Sequence, residues 1–143
     1  LLRAGLRLHT ITPNLNQLEA LAGEPLRNAS SLRRATRALH GWGIDNILVG
    51  LGPKGAALSW RSDDATLFQH IPAAVRTIAD VTGGGDALVA GYVAAILGGT
   101  QPIGAAVFGQ AAAGLAVASV STVSARIDSK RVMRAAAQLA RRI

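Results

Sequence analysis

Cysteine is absent from the 143 residues, which rules out disulfides and thiolate-held metal sites. Aromatic residues make up only 3% of the chain, too few to furnish the stacking platforms on which single-stranded nucleic acids are held. Acidic residues are scarce beside basic ones, 8 against 15, and the formal net charge of +7 invites an anionic partner. The arginines nevertheless cluster on predicted helices, with Arg33, Arg34 and Arg37 on one and Arg131, Arg134, Arg141 and Arg142 on another, the pattern of solvated helix faces. A long apolar run is also missing. The Ala- and Gly-rich stretch from Ala105 to Val120 is weakly hydrophobic and shorter than the roughly 18 residues that a membrane span needs. The expectation is a cytoplasmic protein with neither a membrane nor a nucleic-acid partner. The three histidines, His9, His40 and His70, show no metal-ligand spacing and no accompanying nucleophile motif, so they are assigned no chemistry. Trp42 and Trp60 are expected to pack in the core or in a hairpin.

What is present is enough apolar material, 50% of residues, for one ordinary core, and residues 1–143 are expected to form a single domain. Leu8 to Thr12 reads as a strand stopped by Pro13, after which Asn14 caps a helix running to about Gly23. A helix over about Ser30 to His40 places Leu32, Ala35 and Leu39 on one face, and Gly41 and Gly43 end it. Asn46 to Val49, Ala56 to Trp60 and Ala65 to Ile71 read as strands. Helices follow over about Asp86 to Leu97, Ile103 to Ala118 and Ser129 to Arg142, the last with Val132, Ala136, Leu139 and Ile143 on one stripe. This order is α/β, with an antiparallel hairpin among the strands.

The run Asp80-Val81-Thr82-Gly83-Gly84-Gly85-Asp86-Ala87-Leu88 carries the most chemistry. Glycines let backbone approach a ligand, and the free N–H groups of the helix that follows, at the positive end of its dipole, favour a phosphate oxygen. A carboxylate directly after an anion site is repelled by the anion, so Asp86 reads as a proton acceptor for a hydroxyl attacking phosphorus. The plainer alternative is a Gly-rich turn with an acidic helix cap. Gly50-Leu51-Gly52-Pro53-Lys54-Gly55 matches G-x-G-x-x-G by letter, but Pro53 and the strand after Gly55 make it a strand-to-strand turn, unlike a dinucleotide fingerprint. A Walker P-loop is excluded, because no G-K-[ST] follows the triple glycine.

The Gly83 to Asp86 run, continued by a small-residue helix, resembles the C-terminal signature of the ribokinase-like (PfkB) carbohydrate and nucleoside kinases, usually written D-T-x-G-A-G-D. Thr12-Pro13-Asn14 before a helix and Leu51-Gly52-Pro53-Lys54-Gly55 after a strand stand at fitting distances, so the resemblance spans nearly the whole chain. It implies a ribokinase-like three-layer α/β/α sandwich, present here as its C-terminal portion, since family members are much longer. It implies ATP as phosphoryl donor, Mg²⁺, in some members K⁺, and a sugar or nucleoside acceptor phosphorylated at a primary hydroxymethyl. Asp86 would be the base and Gly83, Gly84 and Gly85 the anion site. Gly50, Gly52, Lys54 and Gly55 would lie along the nucleotide, with Gln110 near the adenine, although an exposed helical Gln is the plain alternative. Asp80 and Thr82 match positions that help hold the monovalent cation.

One departure stands out. Asn14 matches the asparagine of the family's N-x-x-E element, which orders metal-bound water near the phosphates, but the glutamate position holds Gln17, a neutral amide. Glu19 is the nearest carboxylate, and Asn16-x-x-Glu19 also fits the bare pattern, but a shift of two helix positions rotates it by about 200°. Weakened or rearranged metal binding is expected, and a capped helix start is the plain reading of Asn14. Ser119 to Ser124 is similar to an ending seen in pseudouridine kinase-like members, which makes pseudouridine the first acceptor to consider. Dimerisation through the half not represented here is a family habit. A non-catalytic nucleotide-binding protein and a basic nucleic-acid-binding module stay open as alternatives.

Overall fold

The computed structural model describes residues 7–63, 65–74, 83–118 and 128–143. Contacts divide the chain into two compact units, one of residues 1–51 and 57–69 and the other of residues 52–56 and 70–143.

The first unit is built on a sheet with strand order β1-β2-β3-β4, formed by β1 (Leu8–Ile11), β2 (Ile44–Gly50), β3 (Ala56–Ser62) and β4 (Ala65–Ile71). β1 and β2 run parallel, Leu8 opposite Ile44 and Thr10 opposite Asn46. Their crossover holds α1 (Leu15–Ala22) and α2 (Ala29–His40). The connections from β2 to β3 and from β3 to β4 are too short for anything but antiparallel pairing, so the sheet is mixed and the expected hairpin is present. Asp63 takes a left-handed φ of 45° at the hairpin turn, a conformation that Asp tolerates better than most residues. β2 is the most buried strand: Ile47, Leu48 and Val49 are fully buried. That matches the apolar run Ile47-Leu48-Val49, since a central strand covered on both faces does not alternate.

The helices follow their caps. The Asn14 side chain accepts the Gln17 N–H at 2.9 Å and the Gln17 side chain accepts the Asn14 N–H at 2.9 Å, a complete capping box. Gly23 closes α1 in the left-handed conformation, as a C-terminal glycine commonly does. α2 repeats the device with Asn28 and Ser31, and so begins one residue before the expected Ser30. Its inward face, Leu32, Ala35 and Leu39, joins Leu18, Leu26, Ile44 and Ile47 in one core cluster, each large side chain contributing about 1.5–3 kcal/mol of burial. Arg33, Arg34 and Arg37 face solvent on its other side.

His40 is buried at the end of α2, and its Nδ1 donates to the Ile44 carbonyl at 2.7 Å, while Nε2 lies 2.8 Å from the Ser59 hydroxyl. Burial, more than any other cause, holds this imidazole below the ordinary histidine range, with the Arg61 charge acting the same way against the Ile44 bond and Asp45. Its role is to tie α2 to β2 and β3. Trp42 departs from expectation. It stays 44% exposed because it lies in the Gly41–Gly43 turn, where its N–H caps the Leu39 carbonyl at 3.0 Å.

The second unit contains α3 (Gly84–Leu97), α4 (Pro102–Val117) and α5 (Ser129–Ala140). α3 and α4 are apolar all round and approach closely through glycines. A Cβ on Gly109 would stand 2.5 Å from the Leu88 carbonyl oxygen, and one on Gly91 2.9 Å from Gly109 Cα, distances that only bare backbone allows. α5 is amphipathic: Asp128 caps it, Val132 and Leu139 are buried, and Ile143, expected on the same stripe, remains 45% exposed past the helix end. Among the described residues no helix is long and apolar enough to cross a membrane.

Candidate active site

The residues marked out by the sequence fall in both units, and each group is described within its own. In the first, Pro13 ends β1 and the chain turns directly into α1. Asn14 and Gly50 form a parallel bridge beyond the strand ends, and the Gly50 N–H donates to the Pro13 carbonyl at 3.0 Å. Asn14, Gln17 and Gly50 are thereby gathered at the carboxyl ends of two parallel strands, the edge at which open α/β sheets bind ligands. The amide oxygens of Asn14 and Gln17 each already accept a backbone N–H. Glu19 is turned to another use, its Oε1 accepting the Leu26 N–H at 2.8 Å and holding the α1–α2 connection.

In the second unit, Gly52, Pro53 and Lys54 form one 3₁₀ turn, closed by the Gly55 N–H donating to the Gly52 carbonyl at 3.0 Å. Gly55 has φ 94°, and a Cβ there would lie 2.1 Å from the Ile71 carbonyl oxygen, so no other residue fits.

The start of α3 is unlike the starts of α1, α2 and α5. Gly83 is its N-cap with φ 80°, no side chain caps it, and Asp86 is the acid of its first turn. The first intrahelical bond runs from the Ala87 N–H to the Gly83 carbonyl at 2.9 Å, which leaves the N–H groups of Gly84, Gly85 and Asp86 ahead of the helical ladder. The helix begins two residues before the expected Asp86. Glycine at Gly84 has a packing reason, since a Cβ would meet Val117 Cγ1 at 2.7 Å, whereas Gly85 faces open space. The Asp86 side chain is exposed. Gly83, Gly84, Gly85 and Asp86 are thus gathered in one turn, a positive helix end with a carboxylate at its rim.

Gln110 is 6% exposed within α4, which removes the reading of it as an exposed helical side chain. Asp80 and Thr82 lie outside the described residues, as does the Ser119 to Ser124 run. No group of three or more His, Cys, Asp or Glu side chains gathers to hold a metal among the described residues. The donors at the start of α1 are neutral amide oxygens already hydrogen-bonded, so they fit water around a phosphate-bound Mg²⁺ better than direct ligation. One residue that no motif marks belongs with the Gly52–Gly55 turn of the second unit: His70, whose Nε2 donates to the Lys54 carbonyl at 2.8 Å.

The architecture is a ribokinase-like α/β fold, of which the chain forms a part. The solved structure of Escherichia coli phosphofructokinase-2 in complex with potassium matches 96% of the chain with a TM-score of 0.80, at 22% identity and over 43% of its own length. Arabidopsis thaliana ribokinase complexed with ribose and ATP matches 90% of the chain with a TM-score of 0.76, at 30% identity and over 40% of its length. The family model for pfkB family carbohydrate kinases matches residues 3–129, and the chain belongs to that family. In sequence it is 34% identical over 132 residues to the bifunctional protein HldE of Azorhizobium caulinodans, covering 91% of the chain and 27% of that protein. It is 31% identical over 124 residues to Arabidopsis thaliana ribokinase, covering 87% of the chain and 32% of that protein. The chain therefore spans about a third or less of these curated relatives.

Proposed function

We propose that the protein carrying this chain transfers the γ-phosphoryl group of ATP to a primary hydroxymethyl of a sugar or nucleoside. The observation that carries this reading is the start of α3, where the N-cap Gly83 makes no side-chain cap and Asp86 stands on the same turn, in a chain of the pfkB family. The first-turn N–H groups, fixed in direction by the helix, are placed to stabilise charge developing on the transferred phosphoryl oxygens, at no cost in reorganisation. Asp86 accepts the proton of the acceptor hydroxyl as its oxygen forms the bond to phosphorus.

The 3₁₀ turn of Gly52, Lys54 and Gly55 lies along the nucleotide in this reading, with Lys54 adding positive charge, Gly50 backbone close by and Gln110 toward the base. Asn14 and Gln17 would hold water around Mg²⁺, which supplies charge neutralisation on the phosphate oxygens when bound with the nucleotide. Asp80 and Thr82 would contribute to a K⁺ site beside the anion loop.

The test is ATP turnover by the full-length protein with Mg²⁺ and K⁺, screened against ribose, fructose, pseudouridine and the common nucleosides. Turnover with one acceptor supports the kinase reading and names its substrate. ATP binding with no acceptor-dependent turnover favours a non-catalytic nucleotide-binding protein instead.

A further inference from the structure

We propose that His70 is a positioning residue that latches the Gly52–Gly55 turn onto the end of β4 and so sets the affinity for the nucleotide; the inference rests on the kinase reading above. A carbonyl oxygen only accepts, so the 2.8 Å contact between His70 Nε2 and the Lys54 carbonyl requires a proton on Nε2 in both the neutral and the charged imidazole. The contact reaches across 16 residues of sequence and ends on the backbone of the turn, which orients the peptide while leaving the Lys54 side chain to act elsewhere.

Two further observations show that this turn is held and that its holder is firm. Gly55 runs so close to the segment after β4 that a Cβ would stand 2.7 Å from both the Ala73 nitrogen and the Pro72 carbonyl carbon. That segment is anchored in turn, because Ile71 is fully buried and Arg142 Nη1 donates to the Ala73 carbonyl at 3.2 Å. His70 therefore stands on a fixed base and carries that order to the exposed residues Gly52 to Lys54 of the turn. Glycine at both ends of the turn, Gly52 with φ 59° and Gly55 with φ 94°, gives it backbone freedom that a bound nucleotide would otherwise have to remove.

The experiment compares wild type, His70→Ala and His70→Gln in the full-length protein. It measures steady-state constants for ATP and for the acceptor, ATP binding by calorimetry, and amide exchange over residues 52–55. Loss of one ordering hydrogen bond predicts an ATP KM and Kd raised about 3- to 10-fold in His70→Ala, with kcat and the acceptor KM within about twofold, and faster exchange in the turn. His70→Gln, whose amide retains a donor, recovers most of the affinity. An unchanged ATP Kd in His70→Ala, with wild type binding ATP normally, overturns the latch and leaves the kinase reading intact. A wild-type protein that does not bind ATP overturns both. Loosened exchange without a change in ATP affinity also overturns the inference, because the latch would then serve the fold alone.

Discussion

Two helices of this chain begin at residues that the sequence marks as functional, and they begin in opposite ways. α1 starts at Asn14 with a reciprocal capping box, whereas α3 starts at Gly83, an N-cap residue that makes no side-chain cap. The same backbone dipole is answered internally in the first case and presented outward in the second. α2 and α5 are also capped by side chains, Asn28 and Asp128, while α4 has no side-chain cap and a proline in its first turn, which removes one donor. A side-chain cap of this kind contributes about 1 kcal/mol. Leaving the start of α3 without one, in glycine, gives up that stabilisation and is consistent with a ligand that closes it.

The sharpest way to break the comparison is Asp86→Asn. The amide keeps the size of the side chain and cannot take a proton from a hydroxyl, so acceptor-dependent turnover should fall by on the order of 100-fold or more. ATP affinity, measured by calorimetry, should stay within about threefold. Turnover near wild type would reduce Asp86 to a helix-start acid and remove the distinction between the two helices.

Gly85→Ala separates stability from function at the same turn. A Cβ at Gly85 meets nothing within 4 Å, and Ala restricts the unfolded chain, so unfolding in urea should show a gain of about 0.4–1 kcal/mol. The methyl would stand beside the donors meant for the phosphoryl group, and turnover should drop on the order of tenfold, less than deletion of a donor costs. A gain in stability with unchanged turnover would mean that the open end of α3 receives no ligand. The converse experiment, Asn14→Ala, removes the acceptor for the Gln17 N–H and should lower stability by about 1 kcal/mol. An unchanged urea midpoint would show that α1 does not depend on its cap.

Much of this contrast was legible in the residues. Asn14 after Pro13 announces a capped helix, because a short amide side chain is what the first N–H groups accept, and the apolar run Ile47-Leu48-Val49 of β2 announces a strand covered on both faces. α3 starts at Gly84, two residues before the Asp86 that its sequence pattern indicates. Glycine carries no helical preference, and what admits Gly84 to the helix is its approach to Val117, a contact invisible along the chain. The burial of Gln110 was equally hidden, since α4 is small and apolar on every side and offers no stripe from which to tell inward from outward. His70 could not be found by motif at all: its partner is a backbone carbonyl, which every residue type supplies. The left-handed Gly55 was in view, but the reason for it, the backbone at Ile71 to Ala73, belongs to the fold.

Gln17→Glu is the smallest of these changes and the one that asks most about α1. The carboxylate keeps an oxygen for the Asn14 N–H, so the capping box survives, and it adds negative charge to the first turn of the helix. Stability should rise by about 0.3–1 kcal/mol on that ground alone. The substitution also restores the acid of the N-x-x-E element at the position counted from Asn14, where the chain has Gln17. With water around a phosphate-bound cation as its neighbour, a charged oxygen at this position lowers the Mg²⁺ concentration needed for half-maximal turnover, and a few-fold decrease is the expected result. Stability and Mg²⁺ dependence are independent readouts of one residue. If the first rises while the second stays fixed, the start of α1 is a cap and nothing more; if both move, the closed helix start also faces the reaction.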